Sequence, residues 1–289
     1  METTYDLISS AKINLGLKVI RKRPDGFHDI ETIFYPIKLH DDITIDVKPN
    51  DHSHNSLLIH CNKQYVPQNK DNICYKAIEA FFRKYHIKDC CYDIDIKISK
   101  KIPVGGGLGG GSSNAAAVIE FILKYFKIDI HENKKEIIET ALTIGSDVPF
   151  FLYLKPSFAA GRGEDIKILD DFKIGGKILI VNPNLHISTK WAFESLHLDS
   201  EKSYNSELSK VKSFSPENYP LLENDFEKII FEKYPVLGEI KKDLYEKGAV
   251  FASMSGTGAT MYGVFNNDAD VQKLYRKYKD ENYFVFISD

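Results

Sequence analysis

The stretch from Pro103 to Ala117 reads P-V-G-G-G-L-G-G-G-S-S-N-A-A-A, with six glycines in the seven positions from Gly105 to Gly111. Glycine gives up more backbone freedom on folding than any other residue. Such a cluster is therefore kept where the chain needs positive φ or where a ligand approaches the backbone closely. Ser112, Ser113 and Asn114 then offer side chains that can cap a helix, ahead of an apolar-periodic run. A loop whose amides converge on a helix N-terminus presents partial positive charge and unpaired N–H donors, which suits an anion and above all phosphate. The alternative, a flexible linker, leaves the clean helix signal that follows without a reason.

Spacing separates the glycine-rich phosphate motifs better than glycine content does. A P-loop places lysine and then Ser or Thr straight after its second glycine, whereas Ser112 follows Gly111 and no register of the run brings a lysine there. The dinucleotide fingerprint fits Gly105, Gly107 and Gly110. It should, however, be followed about 20 residues on by an acid that ends a second strand. Glu120 comes too early and sits inside the helix.

Two other places hold residues capable of chemistry. From Leu7 to Ile20, Ile13, Leu15, Leu17 and Val19 alternate with Lys12, Asn14, Gly16 and Lys18. On such a strand Lys12 and Asn14 project from the same side, roughly 7 Å apart, and a solvated face is the plain reading of the pair. Asp147 stands between Gly145 and the apolar run Val148–Leu152, read as a strand. A cap or turn aspartate is the plain reading there.

The elements that must position these residues follow from periodicity and breakers. The chain opens with strands Leu7–Ile20, Ile30–Leu39 and Asp42–Val47, the first two separated by the turn residues Arg23-Pro24-Asp25-Gly26, and a short strand Ser56–Cys61 is possible. A helix from Asn72 to about His86, capped by Asp71 or Asn72, precedes a strand Cys91–Ile98 that feeds the glycine loop. Helices are predicted over Ser112–Phe126 and Lys134–Ile144, then a turn Ala159–Glu164 into Asp165–Leu169. Lys177–Val181 opens a second region, Ser188 or Thr189 caps a helix through Phe193, and residues 199 to 218 read as an exposed connection. Helices Asp225–Lys233 and Val236–Lys247 come next, then strands Val250–Met254 and Met261–Phe265, helix Ala269–Tyr278 and strand Tyr283–Ile287. The opening is antiparallel rather than βαβ, and the tail suits an antiparallel sheet covered on one face by helices, so the class is α/β (α+β).

At 289 residues with 43% apolar content the chain can bury a sizeable core, as one large domain or two modest ones. A net charge of −3 gives no basic footprint for nucleic acid or an anionic membrane. No apolar run approaches the ~20 residues of a membrane span, and M-E-T-T-Y-D lacks the basic start of a leader, so a cytoplasmic protein is expected. Cys61, Cys74, Cys90 and Cys91 show no C-x-x-C spacing and read as reduced thiols.

Three separated segments, S-A-K-I-N-L (Ser10–Leu15), the glycine loop and S-G-T-G-A-T (Ser255–Thr260), resemble in order and spacing the three motifs of the GHMP kinases. Within that family, A-K-I-N-L-G-L, R-P-D-G-F-H and G-S-D-V-P-F-F look like the branch acting on a cytidyl diphosphate sugar-alcohol, over essentially the whole chain. The resemblance implies a two-domain GHMP kinase fold, with a nucleotide-binding domain over 1–160, a substrate domain over 161–289 and the active site in the cleft. It implies transfer of the ATP γ-phosphoryl group to the 2-hydroxyl of that small-molecule substrate, in the non-mevalonate route to isoprenoid precursors. ATP and the alcohol are then the partners, with neither nucleic acid nor membrane, and the protein is a monomer or homodimer. A homoserine or mevalonate kinase is the alternative, but it leaves R-P-D-G-F-H and Phe193 without a purpose. A nucleotide-binding regulator without catalysis would have no need of Lys12 and Asp147.

Carried over position by position, the resemblance makes Asp147 the catalytic base and Lys12 its cationic companion. The ATP phosphates fall to Pro103, Val104, Gly105, Gly106, Gly107, Leu108, Gly109, Gly110, Gly111, Ser112 and Ser113, with Asn72 and Lys101 near adenine. Phe27 and Phe193 would sandwich the cytosine ring and His28 would read its polar edge. Asn14 and Thr189 fall near the diphosphate and erythritol part, with Gly256 and Thr257 supporting that end of the cleft. Phe27 stands where tyrosine is frequent, which keeps stacking without a hydroxyl contact. Magnesium should accompany ATP, its protein ligands unassigned.

Overall fold

The structure is a computed structural model that describes residues 2–52, 54–87, 91–196, 198 and 204–289. In chain order it contains β1 (Thr3–Lys22), β2 (His28–Asn50), β3 (Ser56–Cys61), α1 (Ile73–Lys84), β4 (Cys91–Ser99), α2 (Gly110–Tyr125), α3 (Lys134–Ile144) and α4 (Val148–Tyr153). These are followed by β5 (Ser157–Ala160), β6 (Asp165–Ile168), β7 (Lys177–Asn182), α5 (Thr189–Ser195), α6 (Glu227–Lys233), α7 (Pro235–Glu246), β8 (Phe251–Met254), β9 (Met261–Phe265), α8 (Gln272–Asp280) and β10 (Phe284–Ser288). Cys90 and residues 199–203 of the expected connection lie outside the described residues.

The chain divides into two compact units, and β1 and β2 each contribute residues to both. One unit consists of Met1–Ala11, His40–Ile102 and Gly110–Leu154. There β4 lies between β3, to which it runs parallel, and the second half of β2, to which it runs antiparallel. Ile43, Ile45 and Val47 stand opposite Ile98, Ile96 and Ile94, all buried. A slip of one residue would turn that whole apolar row outward, so period-two alternation sets the register. Helices α1, α2, α3 and α4 pack on one another beside it.

The other unit consists of Lys12–Leu39, Pro103–Gly109 and Lys155–Asp289. It holds an antiparallel sheet in the order β10-β7-β9-β8. An apolar cluster joins this sheet to α6, α7 and α8 through Val181, Ile230, Leu237, Leu244, Met261 and Tyr278, with Phe226 at the start of α6 also in it. The first half of β2 pairs with β5, and β5 with β6.

Several local expectations change. The two strands read over Ile30–Leu39 and Asp42–Val47 are one continuous β2, because nothing between them is a breaker. The run after Asp147 is helix α4, not a strand: Pro149 at its start sets a helical φ and its missing N–H costs nothing in a first turn. Helix α2 begins at Gly110, which puts Ser112, Ser113 and Asn114 inside its first turns rather than at its cap. Asn133 occupies the cap position of α3 but makes no capping bond; its amide donates to the Asp129 carbonyl instead.

Candidate active site

Within the second unit the glycine segment meets residues from both ends of the chain. Gly105, Gly107 and Gly109 take φ of +69°, +76° and +71°, a region that side chains with a Cβ rarely enter. Space is short as well. A Cβ on Gly107 would collide with the carbonyl oxygen of Ser255, and one on Gly106 would lie 2.8 Å from both Asn182 Nδ2 and Thr260 Oγ1. Both reasons for keeping glycine hold at Gly107.

Lys12 and Asn14 are not on a solvated face; they are 4% and 2% exposed. The Lys12 backbone N–H donates to the Leu108 carbonyl at 3.1 Å. Its ammonium donates to the Gly107 carbonyl at 3.0 Å and to Asn14 Oδ1, and lies over the Phe34 ring. Ser255 Oγ donates to the same Gly107 carbonyl at 2.8 Å, and the Asn14 N–H donates to Ser255 Oγ at 3.2 Å. Asn14 Nδ2 donates to Thr32 Oγ1, and the Tyr262 hydroxyl donates to the Asn14 carbonyl. Burying an ammonium is costly unless its protons find partners, and the Gly107 carbonyl, Asn14 Oδ1 and the Phe34 ring receive this one. The strand motif, the glycine loop and the S-G-T-G turn are thereby one hydrogen-bonded assembly.

Gly256 takes φ +59°, and a Cβ there would lie 3.2 Å from Gly107 Cα. Thr189 Oγ1 and Thr257 Oγ1 are 3.3 Å apart, so these two expected substrate residues share a hydrogen bond. Ser188 caps α5 by accepting the Trp191 N–H, which fixes where Thr189 and Phe193 stand on that helix. The ring of Phe193 stacks on His28 at 4.5 Å and 23°, and its edge meets Phe226 at 4.8 Å. Phe27 is 48% exposed, with the Arg162 guanidinium over its ring at 3.7 Å. The turn that presents Phe27 and His28 is braced by Arg23 and Asp25, and Asp25 also accepts the Phe27 N–H. Partial burial, then the nearby Lys22 charge, hold the His28 imidazole below its ordinary pKa.

The first unit carries the remaining residues. Asp147 stands at the N-cap position of α4 yet makes no capping bond to that helix. A Cβ on the nearby Gly145 would lie 3.7 Å from both Ser112 Oγ and Ile73 Cδ1. The first turn of α2 is therefore beside the turn that leads to Asp147 and beside the start of α1. Ser113 is buried and accepts from Ser9 Oγ at 2.7 Å. Asn72 is buried too: Oδ1 accepts the Cys74 N–H as the α1 cap, and Nδ2 donates to the Pro67 carbonyl. Lys101 is exposed and pairs with Asp42 at 2.6 Å. In the part of the glycine segment that belongs to the second unit, Val104 is exposed, whereas Leu108 is buried and presents only its backbone.

Reading the sequence missed Ser255, Arg162 and Asp41 as individuals. Ser255 opens S-G-T-G, which is a usable signal; Arg162 sits in an ordinary turn, and nothing local marks its contact with Phe27. Among the described residues Cys61, Cys74 and Cys91 are free, and burial pushes the Cys74 thiol up to about 12. No group of three or more His, Cys, Asp or Glu among the described residues is placed to hold a metal ion.

Comparison with known proteins supplies the lineage. The model of the GHMP kinases N terminal domain matches residues 72–155, and that of the GHMP kinases C terminal matches residues 205–283. A 4-diphosphocytidyl-2-C-methyl-D-erythritol kinase of Bacteroides thetaiotaomicron is 39% identical over 257 residues, covering 89% of this chain and 90% of its own. One from Porphyromonas gingivalis is 39% identical over 266 residues, covering 91% and 93%. A solved structure of 4-(cytidine 5'-diphospho)-2C-methyl-D-erythritol kinase superposes with a TM-score of 0.75 at 24% identity, covering 98% of each chain, and shows a common fold. On the strength of these relatives and of the matched N- and C-terminal models, the chain belongs to the 4-diphosphocytidyl-2-C-methyl-D-erythritol kinase family of GHMP kinases.

Proposed function

We propose that the protein transfers the γ-phosphoryl group of ATP to the 2-hydroxyl of 4-diphosphocytidyl-2-C-methyl-D-erythritol, giving the 2-phosphate and ADP, as a step toward isoprenoid precursors. The observation that carries this reading is the 39% identity, over nine-tenths of their length, to kinases named for that substrate. The stacking of His28 on Phe193 supports it, because these residues come from distant segments and are the ones expected to receive a nucleobase.

Asp147 takes the proton of the 2-hydroxyl, a poor nucleophile that needs orientation and a base. Lys12 offsets charge on the transferring phosphoryl group, and the Gly107 carbonyl and the Asn14 amide oxygen that hold its ammonium fix where that charge sits. The segment Pro103–Ser113 cradles the triphosphate with backbone N–H groups and the α2 N-terminus, while Asn72 and Lys101 border adenine. Phe27, His28 and Phe193 select the cytosine, and Asn14, Thr189, Gly256 and Thr257 serve the rest of the alcohol.

Magnesium usually reaches a kinase on the nucleotide and takes few protein ligands. We assign it no protein ligands; when bound it would neutralise phosphate charge. The sequence domains are proposed as 1–160 and 161–289, with the two matched family models on either side of that boundary; the compact units cut across it, since residues 12–39 and 103–109 group with the C-terminal part. No helix among the described residues is long and apolar enough to cross a membrane. The protein is assigned to the cytoplasm as a monomer or homodimer.

Trial of the purified protein with ATP and each of three alcohols tests the reading. Release of ADP with the cytidyl substrate, and not with homoserine or mevalonate, is the expected result. Robust turnover of homoserine or mevalonate without the cytidyl compound would overturn it.

A further inference from the structure

Asp41 lies within β2 and is 0% exposed. Its carboxylate is fully engaged. Oδ1 accepts the backbone N–H groups of Lys101 at 2.7 Å and Ile102 at 2.8 Å, and Oδ2 accepts Asn114 Nδ2 at 2.9 Å as well as the Lys100 ammonium. Lys100, itself 5% exposed, also donates to Asn114 Oδ1 at 2.9 Å. Asn114 further donates to Ser9 Oγ.

These partners lie on two sides of one segment of chain. Lys100, Lys101 and Ile102 lead into the glycine loop, and Asn114 stands in the helix that leaves it. One buried carboxylate thus holds entry and exit together. The fit at the exit is close: a Cβ on Gly110 would lie 2.9 Å from Lys100 Nζ and from Ile102 Cγ2.

A buried ion pair is weak grounds for stability, since apolar residues of similar volume often do as well. What a fully satisfied polar cluster supplies is a single geometry. We propose that Asp41, with Lys100 and Asn114, is a positioning clamp for the nucleotide: it fixes the distance between the two stems of the glycine loop and so holds the loop ready for a triphosphate. The inference rests on the reading of that loop as the ATP site. Asp41 acts through the loop, and preorganisation appears as affinity because less ordering remains to be done on binding.

Full-length Asn114→Ala and Asp41→Asn are to be compared with wild type by calorimetric binding of a non-hydrolysable ATP analogue, by KM for each substrate and by thermal unfolding. Asn114→Ala keeps the ion pair and unties the stems. It removes the two charge-assisted bonds of Asn114, and should weaken analogue affinity and raise the ATP KM on the order of tenfold. The acceptor KM and kcat should stay within about twofold, since neither reports on the loop stems. Asp41→Asn, if it folds, should weaken ATP further. A folded Asn114→Ala with wild-type affinity for the analogue overturns the clamp, as does an equal loss in ATP KM, acceptor KM and kcat. A wild-type protein that binds the analogue but leaves the cytidyl alcohol untouched refutes the substrate reading, while the affinity comparison still decides the clamp. A wild-type protein that does not bind the analogue refutes both.

Discussion

Asp147 and Lys12 carry the chemical claim, and their replacement separates catalysis from binding. Asp147→Asn keeps the shape of the side chain and removes the base. Its kcat should fall about 10²- to 10⁴-fold, the usual worth of general base catalysis, while ATP affinity measured by calorimetry stays near wild type. A variant that turns over normally would remove Asp147 from the mechanism. His28 makes a prediction in pH. Burial and Lys22 lower its pKa, so the ring is neutral at neutral pH and charges only at a midpoint below 6.5. If the neutral ring reads cytosine, the KM for the alcohol should be flat around neutrality and rise as the solution is acidified through that lowered midpoint. The rise should vanish in His28→Gln; an unchanged acid limb in that variant would place the titration elsewhere. At this scale Lys12 and Asn14 were legible as a same-side pair on a strand, but their burial was not, because their acceptors Gly107 and Ser255 come from distant segments.

Among elements, the glycine loop makes the sharpest forecast. Gly107→Ala meets a positive φ and the Ser255 carbonyl together, whereas a Cβ on Gly105 meets only the His186 ring, 3.1 Å away. Gly105→Ala should therefore lose about 1–2 kcal/mol of the loop geometry from backbone strain alone. Gly107→Ala should be the more severe of the two. Steady-state KM for ATP orders the two variants, and a Gly105→Ala worse than Gly107→Ala would contradict the packing argument. Elements with a clean internal period were readable: β3 and α3 fall where expected, and β4 follows the alternation of Ile94, Ile96 and Ile98 against charged neighbours. The failures were at junctions. β2 runs on through Leu39-His40-Asp41-Asp42 because pairing with β4 continues from Asp42 onward. The α2 start moved to Gly110 because Ser113 and Asn114 bond to Ser9, Lys100 and Asp41 instead of capping. Neither partner set is visible in a local window.

At the scale of the whole molecule the three motif segments and the substrate aromatics rest on ordinary cores. Phe226 is fully buried, belongs to the apolar cluster of its unit and supports the edge of Phe193. Phe226→Ala should cost about 3–5 kcal/mol in urea unfolding and should raise the KM for the alcohol more than that for ATP. An equal rise in both would mean that the Phe193 support is not specific. The overall class and the order of the motifs were legible because they are written in contiguous residues. The assembly of Lys12, Gly107 and Ser255 was not, since it joins residues far apart in the chain.

The central claim is the position and nature of the transferred group, and nuclear magnetic resonance of the product formed from ATP and 4-diphosphocytidyl-2-C-methyl-D-erythritol tests it most directly. A new phosphomonoester coupled to carbon 2 of the erythritol, appearing mole for mole with ADP, is the predicted spectrum. Phosphate on another oxygen, or ADP accompanied only by inorganic phosphate, would contradict the account.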